Sequence, residues 1–397
     1  MKPQLRFKEF TDEWEEKKLG EIADVRDGTH SSPKFVKEGY PLITSKNLKD
    51  GKLDYSSINY ISKHDYEEIN KRSYVEDNDI LMAMIGTIGN PVKIVKEKEF
   101  AIKNVALIKD KNKQNNYLIH YLQSNNIKKQ FLLELAGGTQ KFISLSTIRN
   151  IKIQLPPLLE QEKIGKFFSL LDQRIEKQER KVTLLEEEKK GYMQKLFKQE
   201  LRFKDEEGND YPEWEEKKLG EIAKIYDGMH STPNYKNHGV PFLSVENISD
   251  LKTNKYISEE EYQNSFKNNK AEYGDIFMTR IGSIGVANIN LNNEVAYYVS
   301  LALIKPQKIN NWYLMHAIHS EQVQKDLWSK TLQVAFPQKI NKGDINFIKI
   351  PFPSLPEQEK IGNFLSLLDQ RIEKEQEKLR LMKKEKQGLL QQLFICK

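Results

Sequence analysis

The chain carries a long internal repeat. WEEKKLGEIADVRDGTHSSP, from Trp14 to Pro33, returns as WEEKKLGEIAKIYDGMHSTP, from Trp214 to Pro233, with fifteen of twenty positions identical. LRFK at Leu5–Lys8 returns at Leu201–Lys204, GTIGN at Gly86–Asn90 as GSIGV at Gly282–Val286, and VALIK at Val105–Lys109 as LALIK at Leu301–Lys305. EQEKIGKFFSLLDQRIEK, Glu160–Lys177, returns as EQEKIGNFLSLLDQRIEK, Glu357–Lys374, with sixteen of eighteen positions identical. The order never changes, and the offset drifts only between 196 and 200. Solenoid repeats run roughly 20–50 residues, so this is the duplication of a whole folding unit. The 397 residues must therefore build the same fold twice.

Each copy divides into two parts. The first mixes short apolar-aromatic runs with helical patterns. Tyr40–Ser45, Asp79–Gly86 and Ile151–Pro156 read as strands, and Asn116–Ser124 and Asn311–Ser320 as amphipathic helices. The expectation is an α+β domain with its own core. The second part is charged and free of proline from Glu160 to Lys198. Phe168, Ile175, Val182 and Leu196 recur every seven residues, with Lys189 interrupting; Ile164, Leu171, Leu185 and Tyr192 fill the partner positions, with Gln178 interrupting. The second copy repeats the pattern with Leu365, Ile372, Leu379 and Leu393 around Lys386, and with Ile361, Leu368, Met382 and Leu389 around Glu375. An a/d seam of about five heptads predicts a coiled coil, and each helix should span roughly 60 Å. Ser354-Leu355-Pro356-Glu357 resembles a capping box at the start of the second helix.

The predicted division is a first globular domain over 1–157, a helix over 158–199, a second domain over 200–354 and a second helix over 355–397. If the seams pair within the chain, the helices must run antiparallel. The result is two globular ends on a rod, related by a pseudo-two-fold axis. Gln178 and Glu375 occupy equivalent seam positions near the helix midpoints. They are expected to meet near that axis and set the register.

Composition narrows the class. Eighteen Phe and seventeen Tyr exclude a disordered chain. The one cysteine, Cys396, excludes an internal disulfide framework and favours a reducing, cytoplasmic setting. No run of roughly 18 apolar residues predicts a membrane span. A net charge of +6 leans toward a polyanionic partner.

Catalytic signatures are missing from the sequence. It has no C-x-x-C, no H-E-x-x-H, no phosphate loop, and no (Asn/Asp)-Pro-Pro-aromatic signature of an N6-adenine methyltransferase. His316 and His319 lie one helical turn apart, but their apolar neighbours point to an ordinary packed helix, and no metal site is expected. IGTIG and IGSIG lack the third glycine of a dinucleotide loop. What remains is a duplicated, non-catalytic reader on a rigid spacer. Two similar domains at fixed separation suit duplex DNA, whose half-sites recur on one face at roughly 34 Å.

These features resemble the specificity subunit of type I restriction-modification systems. The likeness covers essentially the whole chain. It rests on the paired WEEKKLGEIA openings, the LPPLLEQEKIGKFFSLLD and FPSLPEQEKIGNFLSLLD junctions, the P-x-x-E-Q-x-x-I element (Pro157–Ile164), and the domain-helix-domain-helix order. The resemblance implies two target recognition domains, each reading half of a bipartite, asymmetric double-stranded site. It implies that the helices are conserved spacers whose length sets the gap between half-sites, with the seam read from the heptad spacing holding Ile164, Phe168, Leu171, Ile175, Val182, Leu185, Ile361, Leu365, Leu368, Ile372, Leu379 and Met382. It also implies two methyltransferase (modification) subunits that flip adenines, joined by restriction (translocase-nuclease) subunits. S-adenosylmethionine, ATP and Mg²⁺ would belong to those partners, and none to this chain. The alternative is a coiled-coil scaffold that bridges protein partners without reading DNA.

Base reading needs amides and guanidinium groups, and phosphate contact needs basic ones. The candidates lie in loops next to predicted strands. They are His30, Ser31, Lys34, Lys46, Asn47, Gln140 and Lys141 in the first copy, and His230, Ser231, Lys236, Asn247, Arg280, Gln338 and Lys339 in the second. Residues shared by both copies are expected to shape the loop or hold phosphate. Differences, such as Arg280 against Met84, are expected to read bases.

Overall fold

The computed structural model describes residues 3–394 apart from 87, 112–114, 136–141, 293 and 333–335. The chain forms two compact units. One holds Met1–Glu179 with Glu377–Lys397, and the other holds Arg180–Gln376.

At the centre of the first unit lies a four-stranded antiparallel sheet. Its strand order is Ala23–Asp27, Val105–Asp110, Ile80–Ala83 and Gly89–Lys93. The middle strands read as unbroken apolar runs because both faces of the sheet are covered. Ile80, Met82, Ala106 and Ile108 face a core shared with the helix Asn115–Leu122 and with Ile164 and Phe168. Leu81, Ala83, Val105 and Leu107 face a second core that contains Ile43, Phe100 and Ile102. Beside it a second sheet joins Tyr40–Ile43 to Asn59–Ile61 and, in parallel, to Ala101–Ile102. Glu15–Lys18, within the repeated opening, pairs with Lys152–Leu155 at the domain's end.

The second unit repeats this plan. Ala223–Asp227, Leu301–Pro306, Ile276–Thr279 and Ala287–Ile289 form its central sheet. Ile276, Met278, Ala302 and Ile304 face one core, and Phe277, Leu301 and Leu303 the other. Glu215–Lys218 pairs with Lys349–Phe352. The fold is α+β.

Two helices of 40 residues each, Leu158–Phe197 and Leu355–Phe394, leave these bodies. Within the first unit, the start of the first long helix packs against the end of the second. Phe168 stacks on Phe394 at 5.7 Å between ring centroids, and Leu390 and Leu393 join the same core. Within the second unit the roles exchange, and Leu196 and Phe197 enter the core beside Ile361 and Leu365. In each unit the paired stretches therefore run antiparallel.

The twelve predicted seam residues are buried or half-buried. The polar interruptions are occupied as well. Lys386 pairs with Asp172, at 2.5 Å, in the first unit, and Lys189 pairs with Asp369 in the second. Gln178 is buried, and Glu375 takes an ion pair from Lys181 at 2.5 Å. Under the first of these pairs lies the buried His120, and under the second the buried His316. Burial and the charge of Lys386 push the imidazole of His120 down to about 3.

Three repeated motifs converge in each unit. Glu160 is fully buried and accepts two hydrogen bonds from Arg6, at 2.8 and 2.7 Å, and one from the indole of Trp14, at 3.2 Å. Glu357 does the same with Arg202, at 3.1 and 2.8 Å, and with Trp214, at 3.0 Å. LRFK, WEEKK and EQEK are thus the three sides of one clamp. This differs from the capping box read at Ser354–Glu357. The Glu357 carboxylate is committed to a guanidinium, a stronger partner than a backbone N–H, and the Ser354 hydroxyl has no hydrogen-bond partner.

Gly165 and Gly362 follow the clamp. A Cβ at Gly165 would lie 2.9 Å from the backbone of Asn116 and Tyr117, and one at Gly362 would lie 2.9 Å from the backbone nitrogen of Tyr313. The glycine lets each long helix lie directly against the domain's own helix.

Candidate nucleic-acid interface

The repeated D-G-x-H-S element ends the first strand of each central sheet. In the first domain the Gly28 N–H donates to the Val105 carbonyl at 3.0 Å, and the Thr29 N–H to that of Ile102 at 3.0 Å. A Cβ on Gly28 would sit 2.2 Å from the Ile102 oxygen, and one on Gly228 would sit 2.3 Å from the Tyr297 oxygen. Only glycine fits this approach. The motif therefore pins a loop to the neighbouring sheet and presents the residues that follow it.

Two further loops meet this one. Lys103 and Asn104 lie beside it, with the Asn104 N–H donating to the Thr29 carbonyl at 3.2 Å. The Ser45 hydroxyl donates to the Asn104 carbonyl at 3.1 Å. His30, Ser31, Lys46 and Asn47, dispersed in sequence, thus come to one edge. Lys34 and Lys46 are exposed there. Lys103 bonds the Ser32 hydroxyl at 2.6 Å. Asn47 is buried, and its amide holds the loop. It accepts from the Thr44 N–H at 2.9 Å and donates to the Asp54 carbonyl at 3.0 Å. Gln140 and Lys141 lie outside the described residues.

Asp27 anchors the edge. Its side chain is 9% exposed and carries two partners, His30 Nε2 at 2.8 Å and the Arg72 guanidinium. The Nδ1 of His30 faces the Asn104 side-chain oxygen at 2.9 Å. Both ring nitrogens thus face acceptors, which favours the doubly protonated ring. The His30 pKa is accordingly raised, first by the bond to Asp27 and then by that to Asn104.

The second domain builds the same edge with other side chains. The Arg280 N–H donates to the Ser300 carbonyl, the Ile340 N–H to the Arg280 carbonyl, and the Gly282 N–H to the Gln338 carbonyl, at 3.0, 3.0 and 2.9 Å. Arg280, Gln338 and Lys339 are therefore neighbours. Asp227 is paired with Arg280, which is only 12% exposed, and lies 3.9 Å from Lys342. His230 and Ser231 are exposed beyond it, and Lys236 lies on the adjoining strand edge against Tyr256. Asn247 ties down its own loop through Ser244 and Lys252, at 3.0 and 2.7 Å.

Arg72, Lys103, Asn104 and Lys342 escaped the reading of the sequence. Arg72 and Lys71 end the helix Lys63–Ser73, where cations ordinarily serve the helix terminus. No local pattern links Arg72 to Asp27, 45 residues away.

Among the described residues no group of three or more His, Cys, Asp or Glu is placed to hold a metal ion. His319 Nε2 instead accepts the Ala287 N–H at 3.0 Å, and burial followed by the charge of Lys189 holds its pKa down to about 4.

A duplicated α+β body that opens into a long helix and carries a polar, arginine-bearing loop edge defines a class of paired recognition domains. The family model for the type I restriction modification DNA specificity domain matches residues 11–186 and again 211–383, and the chain belongs to this family. A Methanocaldococcus jannaschii protein described as the type I restriction enzyme MjaX specificity subunit is 30% identical, over 96% of this chain and 93% of its own. The type I restriction enzyme MjaVIII specificity subunit of that organism is 29% identical, over 96% and 92%. The fold is similar to that of a type I restriction-modification S subunit from M. genitalium, with a TM-score of 0.62, 18% identity and full coverage of both chains. A chain from a study of type I system assembly and conformational transition matches with a TM-score of 0.56 and 20% identity, over 97% of this chain and 98% of its own.

Proposed function

We propose that this chain is the sequence-reading, non-catalytic subunit of a type I restriction-modification complex. Each domain takes one half of a bipartite, asymmetric double-stranded site. The carrying observation is that one frame supports two different edges. The clamp and glycine contacts are the same in both domains, while Asp27 and Asp227 gather different cations. A protein that reads two unlike half-sites needs that combination. His30, Ser31, Lys34, Lys46, Gln140 and Lys141 in the first domain, and His230, Ser231, Lys236, Arg280, Gln338 and Lys339 in the second, make up the DNA-facing set, with Asn47 and Asn247 shaping their loops.

Two methyltransferase subunits dock on the shared frame, and restriction subunits join them. S-adenosylmethionine, ATP and Mg²⁺ serve those partners. No described helix is long and apolar enough to cross a membrane, and the cytoplasm, where DNA is reached, is the proposed location. The test is a gel shift of the chain assembled with its methyltransferase, followed by methyladenine sequencing of a host that expresses both. Salt-sensitive binding and one bipartite methylated motif are expected. Assembly without sequence-dependent binding would instead establish a protein scaffold.

A further inference from the structure

The Asp27 site goes beyond loop architecture. Its carboxylate is nearly buried, yet its arginine partner is 68% exposed. The guanidinium end of this pair is open to water, which screens the attraction, so the pairing is better explained by what it does to the guanidinium. Arg72 is also fixed from behind, because its backbone carbonyl accepts a hydrogen bond from Arg26 at 3.2 Å, and Arg26 is itself paired with Asp24 at 2.6 Å. A long, flexible side chain is thus held at both ends while its face stays open to solvent. The bond to Asp27 uses Nη2. Guanidinium carries five N–H donors, so the fork retains donors for a second, planar acceptor.

The duplication says what that acceptor is for. Glu76 and Asp79 correspond to Glu272 and Asp275, which puts Asn268 at the place of Arg72. The second domain has no arginine there. It brings Arg280 to the equivalent aspartate from the end of a strand, where the first domain has Met84. The carboxylate was kept, and the arginine was exchanged for one of different origin. A stability role would have kept the pair. A recognition role exchanges the arginine and keeps its anchor.

Resting on the DNA-reading function proposed above, we infer that Arg72 is a base-reading residue of the first domain, which takes the O6 and N7 acceptors of one guanine in the major groove, and that Asp27 is its positioning residue. Arg is the side chain whose fork matches those two acceptors. Exposed Lys34, and Lys103 on the Ser32 hydroxyl, flank the edge as phosphate partners. The doubly bonded His30 holds the other oxygen of Asp27 and keeps the carboxylate from turning away.

The test uses the chain assembled with its methyltransferase subunits, on a DNA library in which every position of the methylated site is varied. Arg72→Ala should lose roughly tenfold to a hundredfold discrimination for guanine at one position of one half-site, with the other half-site unchanged. Arg72→Gln should shift the preference at that position toward adenine, since an amide pairs with the N6 and N7 edge. Asp27→Asn should weaken discrimination at the same position and leave the other half-site unchanged. An even loss of methylation over all sequences in Arg72→Ala would make Arg72 a phosphate contact and overturn the assignment, as would unchanged selectivity. Should Arg72→Ala fail to assemble, an unchanged guanine preference in Arg72→Gln overturns it equally. A wild-type complex that methylates no defined site would sink the DNA-reading function itself, a different result from any of these.

Discussion

Glu160 and Asp27 are both acidic residues that hold an arginine, and the duplication treated them in opposite ways. Around Glu160 everything was retained, since Arg202, Trp214 and Glu357 repeat Arg6, Trp14 and Glu160 contact for contact. Around Asp27 the D-G-x-H-S loop was retained, but the cations placed on its aspartate changed from Arg72 and His30 to Arg280 and Lys342. The enclosure of the carboxylate separates the two cases, complete at Glu160 and Glu357 and incomplete at Asp27 and Asp227, which keep 9% and 25% exposure. Glu160 and Glu357 are fully buried, and a buried carboxylate that loses its partner is costly, so drift there is punished in both copies. Asp27 and Asp227 sit at an edge where several basic side chains can arrive. Near-identity between the copies therefore marks where the protein is held together, and divergence marks where it chooses.

The strongest way to break this comparison is to attack the clamp. Glu357→Ala should cost about 3–5 kcal/mol of stability, because Arg202 is left without its carboxylate, and Glu160→Ala should cost as much. Urea unfolding monitored by tryptophan fluorescence would measure both; a loss near zero would show that the clamp is ornamental. Next, Gly228→Ala should cost about 1–3 kcal/mol, since its Cβ would meet the Tyr297 carbonyl, and should disturb second-domain specificity with it.

Acid supplies a third test. The pKa of His120 is held at about 3 in the folded chain, against an ordinary 6.5. The unfolded chain thus binds the extra proton throughout that window, so stability is full above pH 6.5 and falls as pH drops toward 3. Urea midpoints at pH 7.5 and pH 5 should show this fall, and His120→Gln should reduce it, leaving the share that the buried His316 and His319 contribute. The smallest effect belongs to the edge lysines. Lys34→Ala should leave the motif unchanged and lower the salt dependence of binding by about one phosphate contact in a gel-shift series.

Much of the frame was legible in the sequence. The strands at Tyr40–Ile43 and Ile80–Ala83, the helix Asn115–Leu122 and the seam all follow from apolar spacing, which is a local property. Lys189 and Lys386 read only as interruptions, because their partners Asp369 and Asp172 stand on the other helix. Glu160 was visible as part of a repeated motif but not as a clamp, since Arg6 lies 154 residues away. Arg72 was least legible of all. It belongs to a stretch where the copies disagree, and its partner is set by the path of the chain.

The distribution of the core along the chain bears on how the protein is made. The second body draws on one continuous stretch, Arg180–Gln376, and all of it has been synthesised before the last helix is complete. The first body needs Leu390, Leu393 and Phe394 to fill the space beside Phe168, Tyr117 and Tyr121. Its stretch up to Glu179 leaves the ribosome before the second body and must wait for the second long helix. Until then its aromatic floor stays open, and a chain cut short in the last helix would fold its second half while leaving its first unsealed.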